Sequence, residues 1–186
     1  MDMTTENYFK ALEATKKLHE GEKLFSGRFL TRYLDDIRQL IVRYDVKTLL
    51  DYGCGRAVAW EDGTLARELG VKVTLYDPGV PRFAADPVGT FDMVICTQAL
   101  GSVPIDALSW VIDRLDSFAI RVVYIGERLG PVRKRVHYDL ANRGVMPHGW
   151  TRGRWKEEIS RISRGCDVYL RTTDKRDKSS VLEQVA

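Results

Sequence analysis

The stretch Val46-Lys47-Thr48-Leu49-Leu50-Asp51-Tyr52-Gly53-Cys54-Gly55 decides the fold, because an apolar, β-branched run leads directly into two closely spaced glycines. Residues 46–52 are predicted to form a strand, and residues 60–69 a helix that ends before Gly70. A glycine loop between a strand and a helix suits a nucleotide-type ligand, since glycines let the backbone approach it closely. Val58 stands where a dinucleotide-binding fingerprint would have its third glycine, which weakens a pyrophosphate-binding interpretation.

The remainder of the chain alternates strands with helices. Further strands are predicted from β-branched or apolar runs at 71–76, 91–96, 120–125 and 166–172. Helices are predicted from apolar residues spaced three and four apart at 6–20, 29–44, 105–117 and 151–163. Residues 126–150, with four glycines and two prolines, are expected to be a long loop-rich segment.

This alternation predicts an α/β fold of the Rossmann-like type, with a mostly parallel central sheet and helices on both faces. The chain of 186 residues suffices for a single domain. We expect that domain to span residues 1–172, with an N-terminal helical segment at 6–44. Residues 173–186 are polar and are expected to form a disordered tail.

Composition limits the classes of function. No run of 18 apolar residues and no apolar N-terminal segment occurs, so neither a membrane span nor a secretory signal is expected. The three cysteines lie far apart, which predicts neither disulfides nor a metal site and favours the cytoplasm. Residues 1–120 carry 14 basic and 18 acidic side chains, whereas residues 121–186 carry 15 and 8. The basic C-terminal third could meet nucleic acid or a phosphorylated metabolite, or be a solvated surface.

Two further strand ends carry polar side chains. Asp77 follows the strand at 71–76, 22 residues after Gly55, and a carboxylate there can accept both hydroxyls of a ribose. Thr97 and Gln98 emerge at the end of the strand at 91–96. Because the carboxyl ends of parallel strands share one edge of the sheet, all of these residues are expected to meet there. Asp86, in the loop before the strand at 91–96, could accept a hydrogen bond from the amino group of an adenine.

The segments Leu49–Gly55, Tyr76-Asp77-Pro78 and Phe91–Thr97 resemble the first, second and fourth motifs of class I S-adenosylmethionine (SAM) dependent methyltransferases. The likeness is greatest to a small group from phages and bacteria, to which Leu24-Phe25-Ser26-Gly27-Arg28 is also similar. It covers roughly residues 20–165, and firmly 46–125. It implies a Rossmann-type methyltransferase fold, SAM as methyl donor, S-adenosylhomocysteine as product, and an Asp51 carboxylate near the amino group of SAM. The candidate cofactor-binding residues are Asp51, Tyr52, Gly53, Cys54, Gly55, Asp77, Pro78, Asp86, Thr97 and Gln98.

The chain also departs from that family. Ala57 replaces the third glycine of the first motif, and Gln98-Ala99-Leu100 stands where the family has a Leu-Glu-His cluster. The family's histidine and paired tryptophans near the C-terminus are matched only by His148 and Trp155, with Arg154 in place of one tryptophan. The acceptor therefore does not carry over from the family, and Gln98 and His148 are the candidate catalytic residues.

Three functions follow from these motifs: a SAM-dependent methyltransferase, a SAM-binding sensor or partner protein without methyl transfer, and a nicotinamide-dependent oxidoreductase, which Val58 disfavours.

Several residues have a structural interpretation beside the functional one. Asp77 could cap a turn with Pro78, Asp51 could orient the glycine loop, and Asp92 could fix a strand start. Cys54 and Cys96 are expected to be buried and unreactive. Trp150 and Trp155 could stack on a substrate or cover the core, and Arg133-Lys134-Arg135 could bind phosphate or face solvent.

Overall fold

The computed structural model describes residues 3–21, 26–129, 151–162, 167–174 and 180–185. In these ranges, six strands form one sheet in the order β2-β1-β3-β4-β5-β6. The strands are Thr48–Tyr52 (β1), Lys72–Tyr76 (β2), Phe91–Thr97 (β3), Ala119–Leu129 (β4), Asp167–Asp174 (β5) and Ser180–Gln184 (β6). The first five are parallel, and β6 runs antiparallel to β5. The direction of winding reverses between β1 and β3, and in such sheets ligands bind at the carboxyl ends of the strands that flank this switch point.

Helices cover both faces of the sheet. They are Met3–Gly21 (α1), Leu34–Tyr44 (α2), Thr64–Leu69 (α3), Ile105–Phe118 (α4) and Arg152–Ile162 (α5). One buried cluster packs α2 and α3 against the sheet, and a second packs α1, α4 and α5 against the other side. We call these sides the α2 face and the α4 face. In β3, Met93 and Ile95 point to the α2 face while Val94 and Cys96 point to the α4 face, as the two-residue period of a strand requires.

The predicted α/β fold, with a mostly parallel sheet and helices on both faces, is confirmed in this form. The predicted helix at 29–44 is wrong as one element, because it divides at Tyr33 into a 3-10 helix at Arg28–Arg32 and α2. The helix predicted at 60–69 begins only at Thr64, because Gly63 adopts φ 68° before it. A short 3-10 helix at Val58–Trp60 takes up the earlier residues.

The C-terminal half differs most from the prediction. β4 continues to Leu129, so residues 126–129 are strand instead of loop, and Gly126 and Glu127 pair with β5. The disordered tail predicted at 173–186 is wrong for residues 173–174, which end β5, and for 180–184, which form β6. A half-buried edge strand needs few apolar side chains, and here Leu182 and Val185 pack against the two clusters. The remainder of the predicted loop, 130–150, lies outside the described residues.

A largely buried ion pair connects the N-terminal helical segment with the last parallel strand. Asp36 on α2 accepts hydrogen bonds from Arg171 on β5, at 2.6 Å from Nε and also from Nη2. The hydroxyl of Tyr124 on β4 donates to the same carboxylate at 2.8 Å. None of the described helices combines the length and the apolar character that crossing a membrane requires.

Candidate functional site

Asp51, the glycine loop, Asp77 and Gln98 lie at strand ends around the switch point between β1 and β3. The loop after β1 is fastened to the end of β2, because the backbone N–H groups of Gly53 and Cys54 both donate to the Tyr76 carbonyl, at 2.7 and 3.1 Å. On the other side, the Gln98 N–H at the end of β3 donates to the Gly126 carbonyl of β4 at 2.7 Å. The carboxyl ends of the first four strands are thus joined into one edge.

Asp51, near the end of β1, is buried with 3% of its surface exposed. Its Oδ2 accepts a hydrogen bond from the Trp60 indole at 2.7 Å, whereas its Oδ1 has no hydrogen-bond partner. The pKa of Asp51 is raised to about 7, chiefly by burial; the hydrogen bond from Trp60 lowers the pKa and the neighbouring charge of Asp77 raises it. A half-satisfied carboxylate in a buried place can bind a cationic donor.

Asp77 holds the glycine loop by its side chain. Its Oδ2 accepts from the Gly55 N–H and its Oδ1 from the Gly79 N–H, both at 2.8 Å. The interpretation of Asp77 as the cap of the turn at Pro78 is therefore confirmed, because a side-chain bond to the second following residue is the mark of such a turn. The expected bond to a ribose stays a prediction.

Two glycines show how closely the loop is enclosed. Gly53 adopts φ 81°, and a Cβ atom at this position would lie 2.5 Å from the Cβ of Ala99. Gly27 adopts φ 75°, and its Cβ would lie 2.5 Å from the Cys54 carbonyl oxygen. The Val58 N–H also donates to the Ser26 carbonyl at 3.0 Å. The loop thus lies between the segment that contains Gly27 and the turn that follows β3.

The backbone of Gln98 adopts a left-handed conformation that glycine usually occupies, with φ 55°. Its side-chain Nε2 donates to the hydroxyl of Tyr33 at 3.0 Å, and the Tyr33 ring lies where a side chain on Gly126 would stand. A left-handed conformation costs a residue with a side chain on the order of 1 kcal/mol and tends to be kept where it serves a site. Gln98 is therefore both strained and held in place at the switch point.

The sequence prediction missed Tyr33, Trp60 and Glu127. Glu127 is 3% exposed at the end region of β4, and its Oε1 accepts from the Leu100 N–H at 3.0 Å. An acidic residue after an apolar strand is the signal that identified Asp77, and it would have identified Glu127 had the strand not been ended at residue 125. Tyr33 and Trp60 carried no comparable signal, because they reach the site only through tertiary packing.

Several predicted residues lie elsewhere or are engaged by other groups. The Asp86 carboxylate, on the surface, pairs with Arg114 of α4 at 2.8 Å. The Tyr52 ring points into the α4 face beside Tyr76, with ring centroids 4.7 Å apart, so only its backbone borders the loop. Asp92 lies at the opposite edge of the sheet.

The structural interpretation of Asp92 is confirmed. Its Oδ2 accepts from the N–H groups of Lys47 and Thr48, each at 2.9 Å, and so fixes the start of β1. Cys54 and Cys96 are buried as expected, and burial raises the pKa of both thiols. Trp155 is 1% exposed and belongs to the core, so the substrate-stacking interpretation is wrong for it.

His148, Trp150 and Arg133-Lys134-Arg135 lie outside the described residues. Within the described ranges, no group of three or more His, Cys, Asp or Glu side chains is placed to hold a metal ion. Comparison of the chain with family models, with curated proteins and with solved structures finds no match. The interpretation of the site consequently depends on its own geometry.

Proposed function

We propose that this chain is a class I, Rossmann-like SAM-dependent methyltransferase that acts on a small molecule or a nucleic acid. The observation that carries the proposal is the unpaired Oδ1 of Asp51, buried at the switch point of the sheet. A buried carboxylate oxygen without a donor is costly, and an ammonium group would supply the missing partner. The methionine part of SAM carries such a group, so the residues present fit this cofactor.

The chain offers further groups to such a ligand. Asp51 would hold the ammonium group, and Asp77, at the end of β2, the ribose hydroxyls. The Asp77 carboxylate already accepts hydrogen bonds from the backbone N–H groups of Gly55 and Gly79. The same carboxylate would therefore both hold the loop in place and bind the ligand. Thr97 and Gln98, both half-buried, lie at the end of β3 on the other side of the switch point.

SAM supplies a methyl group that is already activated on a sulfonium centre, which leaves the protein mainly with binding and orientation. In this interpretation Tyr33 fixes the Gln98 side chain through the bond to Nε2. The carboxamide oxygen of Gln98 would then be the group presented towards an acceptor. Glu127, anchored by the Leu100 N–H, lies nearby at the end region of β4 and is the candidate to hold a proton there.

Calorimetric titration with SAM and S-adenosylhomocysteine tests the cofactor assignment. We expect Asp51→Asn, which keeps the shape and removes the charge, to weaken binding at least tenfold. Asp113→Asn, which removes a charge from the exposed side of α4, is the matched control and should bind like the wild type. A wild-type protein that binds neither ligand, or an Asp77→Ala variant with unchanged affinity, would reject the assignment.

A second candidate is a SAM-binding protein without methyl transfer. The observation that favours it is the turn after β3, where Ala99 packs against Gly53 and the acidic and histidine residues of the resembled family are missing. Incubation of a cell extract with the protein and methyl-labelled SAM distinguishes the two, since label on an acceptor supports the transferase and rejects the sensor. A steep salt dependence of binding to DNA or RNA would then identify a nucleic-acid acceptor.

The hypothesis of a nicotinamide-dependent oxidoreductase is tested by calorimetric titration with NAD. We expect no binding of NAD, because the loop lacks the third glycine that a pyrophosphate requires. NAD binding that Asp77→Ala abolishes would replace the methyltransferase proposal by this one.

A further inference from the structure

A cleft of about 290 Å³ opens beside the loop that follows β1, and the described residues that line it are Ser26, Arg28, Arg56 and Val58. Its volume is close to the lower end of small-molecule sites, which begin at about 300 Å³. Of these four described residues, three carry hydrogen-bond donors in their side chains and none is acidic. The cleft therefore has the size and the polarity to receive an anionic group together with part of the molecule that carries it.

The two arginines have unused hydrogen-bonding capacity. The Nε of Arg56 is buried and has no hydrogen-bond partner. Among the described residues, neither Arg28 nor Arg56 takes part in an ion pair. Arg82 brings a further positive charge to the backbone of the same loop, because its Nη2 donates to the Arg56 carbonyl at 2.5 Å. A buried guanidinium donor without a partner is unfavourable, and carboxylate or phosphate oxygens match its planar fork.

Local structure fixes both sides of the cleft. Gly27 packs so closely on the Cys54 carbonyl that a side chain there would clash, and Val58 bonds to Ser26. Ser26 and Arg28 are thereby held against the loop that carries Arg56. The hydroxyl oxygen of Ser26 accepts a hydrogen bond from the Arg28 N–H at 3.3 Å, so the hydroxyl hydrogen can still be donated to a ligand.

We propose that Ser26, Arg28 and Arg56 form a binding site for the oxyanion group, carboxylate or phosphate, of a small ligand. The proposal depends on the positive charge of the cleft and not on Asp51 or Asp77, and it rests on the proposed function only if the oxyanion is the carboxylate of the cofactor. The two oxyanions share the same recognition chemistry, in which guanidinium groups donate paired hydrogen bonds to a planar or tetrahedral set of oxygens. They differ in the molecule that would bring them, which the experiment separates.

The first titration uses the full chain with inorganic phosphate at low ionic strength, where screening of the charges is weak. We expect the double variant Arg28→Gln/Arg56→Gln to bind phosphate at least tenfold more weakly than the wild type. The double variant Arg38→Gln/Arg67→Gln is the matched control, since it removes two positive charges from exposed positions on α2 and α3. The control should stay within twofold of the wild type. Arg56→Lys, which keeps the charge and loses the planar fork, should give an intermediate loss.

The second titration compares S-adenosylhomocysteine, which has a carboxylate, with 5′-methylthioadenosine, which lacks the amino-acid end. Weaker binding of the first ligand alone by Arg28→Gln/Arg56→Gln assigns the oxyanion to the cofactor. Weaker binding of phosphate alone assigns it to another molecule. The proposal is overturned if this variant and its control bind alike in both titrations while their thermal unfolding is unchanged. A wild type that binds phosphate but not S-adenosylhomocysteine would reject the proposed function and leave the oxyanion site standing.

Discussion

At the scale of single residues, Asp51 shows how one strand position can join stability to binding. The carboxylate is buried, one oxygen is satisfied by Trp60, and the other is not. Burial disfavours its charge and raises its pKa to about 7. A cation placed at Oδ1 would stabilise the charged form, so ligand binding and proton release are expected to be linked.

Asp51→Asn should change how the free energy of unfolding depends on pH. The folded state keeps a proton on Asp51 between about pH 4 and pH 7 that the unfolded chain has already lost, so wild-type stability falls as pH rises through that window. The amide cannot lose a proton, and the variant should gain on the order of 3 kcal/mol over the wild type between pH 4 and pH 8. Urea unfolding at several pH values measures this gain. A difference that is constant with pH would show that Asp51 titrates normally.

Gly53 is a second residue whose identity is set by its surroundings. Gly53→Ala should lower the free energy of unfolding by about 2 kcal/mol or more, because the new methyl group meets Ala99 and φ 81° is strained for alanine. In an Ala99→Gly background the clash disappears, and a cost of about 1 kcal/mol from the backbone should remain. Chemical unfolding of the four proteins provides the double-mutant cycle. Strictly additive effects would mean that the two positions do not touch.

At the scale of elements, the sequence predicts those strands whose own residues are mainly apolar, because an apolar run indicates a buried strand. β1, β2 and β3 are short apolar runs with clear ends, and the predicted bounds differ from the observed ones by at most two residues. Their shared edge follows from parallel pairing, which is why the meeting of Asp51, Asp77 and Gln98 could be foreseen. The glycine loop was predictable for the same reason.

Other elements depend on partners that are distant in the chain. Gly126 and Glu127 look like loop residues, yet they extend β4 because β5 supplies hydrogen-bonding partners for them. β6 is polar in sequence and is made a strand by its pairing with β5. Trp60, which satisfies Asp51, and Tyr33, which holds Gln98, likewise owe their roles to packing that no local pattern specifies.

β6 should contribute to stability despite its polar sequence. A chain that ends at residue 179 loses the partly buried Leu182 and Val185 and leaves β5 as an open edge. We expect the free energy of unfolding to fall by about 2 kcal/mol or more, from the apolar burial alone. The open edge should also promote association at high concentration. Urea unfolding and light scattering measure the two effects, and an unchanged midpoint would show that β6 is dispensable.

At the scale of the whole molecule, the Asp36–Arg171 pair joins the N-terminal helical segment to the last parallel strand across 135 positions of the chain. The pair is largely buried, and Tyr124 adds a bond from the strand between them. Removing one member leaves a buried charge without its partner, which costs more than removing both. The two ends of the chain should therefore unfold together.

Asp36→Leu and Arg171→Met test this connection. Each single substitution should cost about 3 kcal/mol, because it strands the opposite charge, while the double variant should cost clearly less than the sum. Unfolding is followed by far-ultraviolet circular dichroism and by tryptophan fluorescence together. Separate transitions for the two signals in the wild type would contradict the single cooperative unit.

The bond between Trp60 and Asp51 also gives the protein an internal optical reporter. Trp60 is packed on the α2 face, whereas Trp110 and Trp155 belong to the α4 face. Of these three indoles, Trp60 is the one that bonds to the Asp51 carboxylate. Ionisation of Asp51, or capture of a cation by it, changes the electric field at the ring of Trp60. The emission of a variant with phenylalanine at positions 110, 150 and 155 should therefore shift between pH 6 and pH 8. Addition of S-adenosylhomocysteine should shift it as well, so that occupancy could be read without any label.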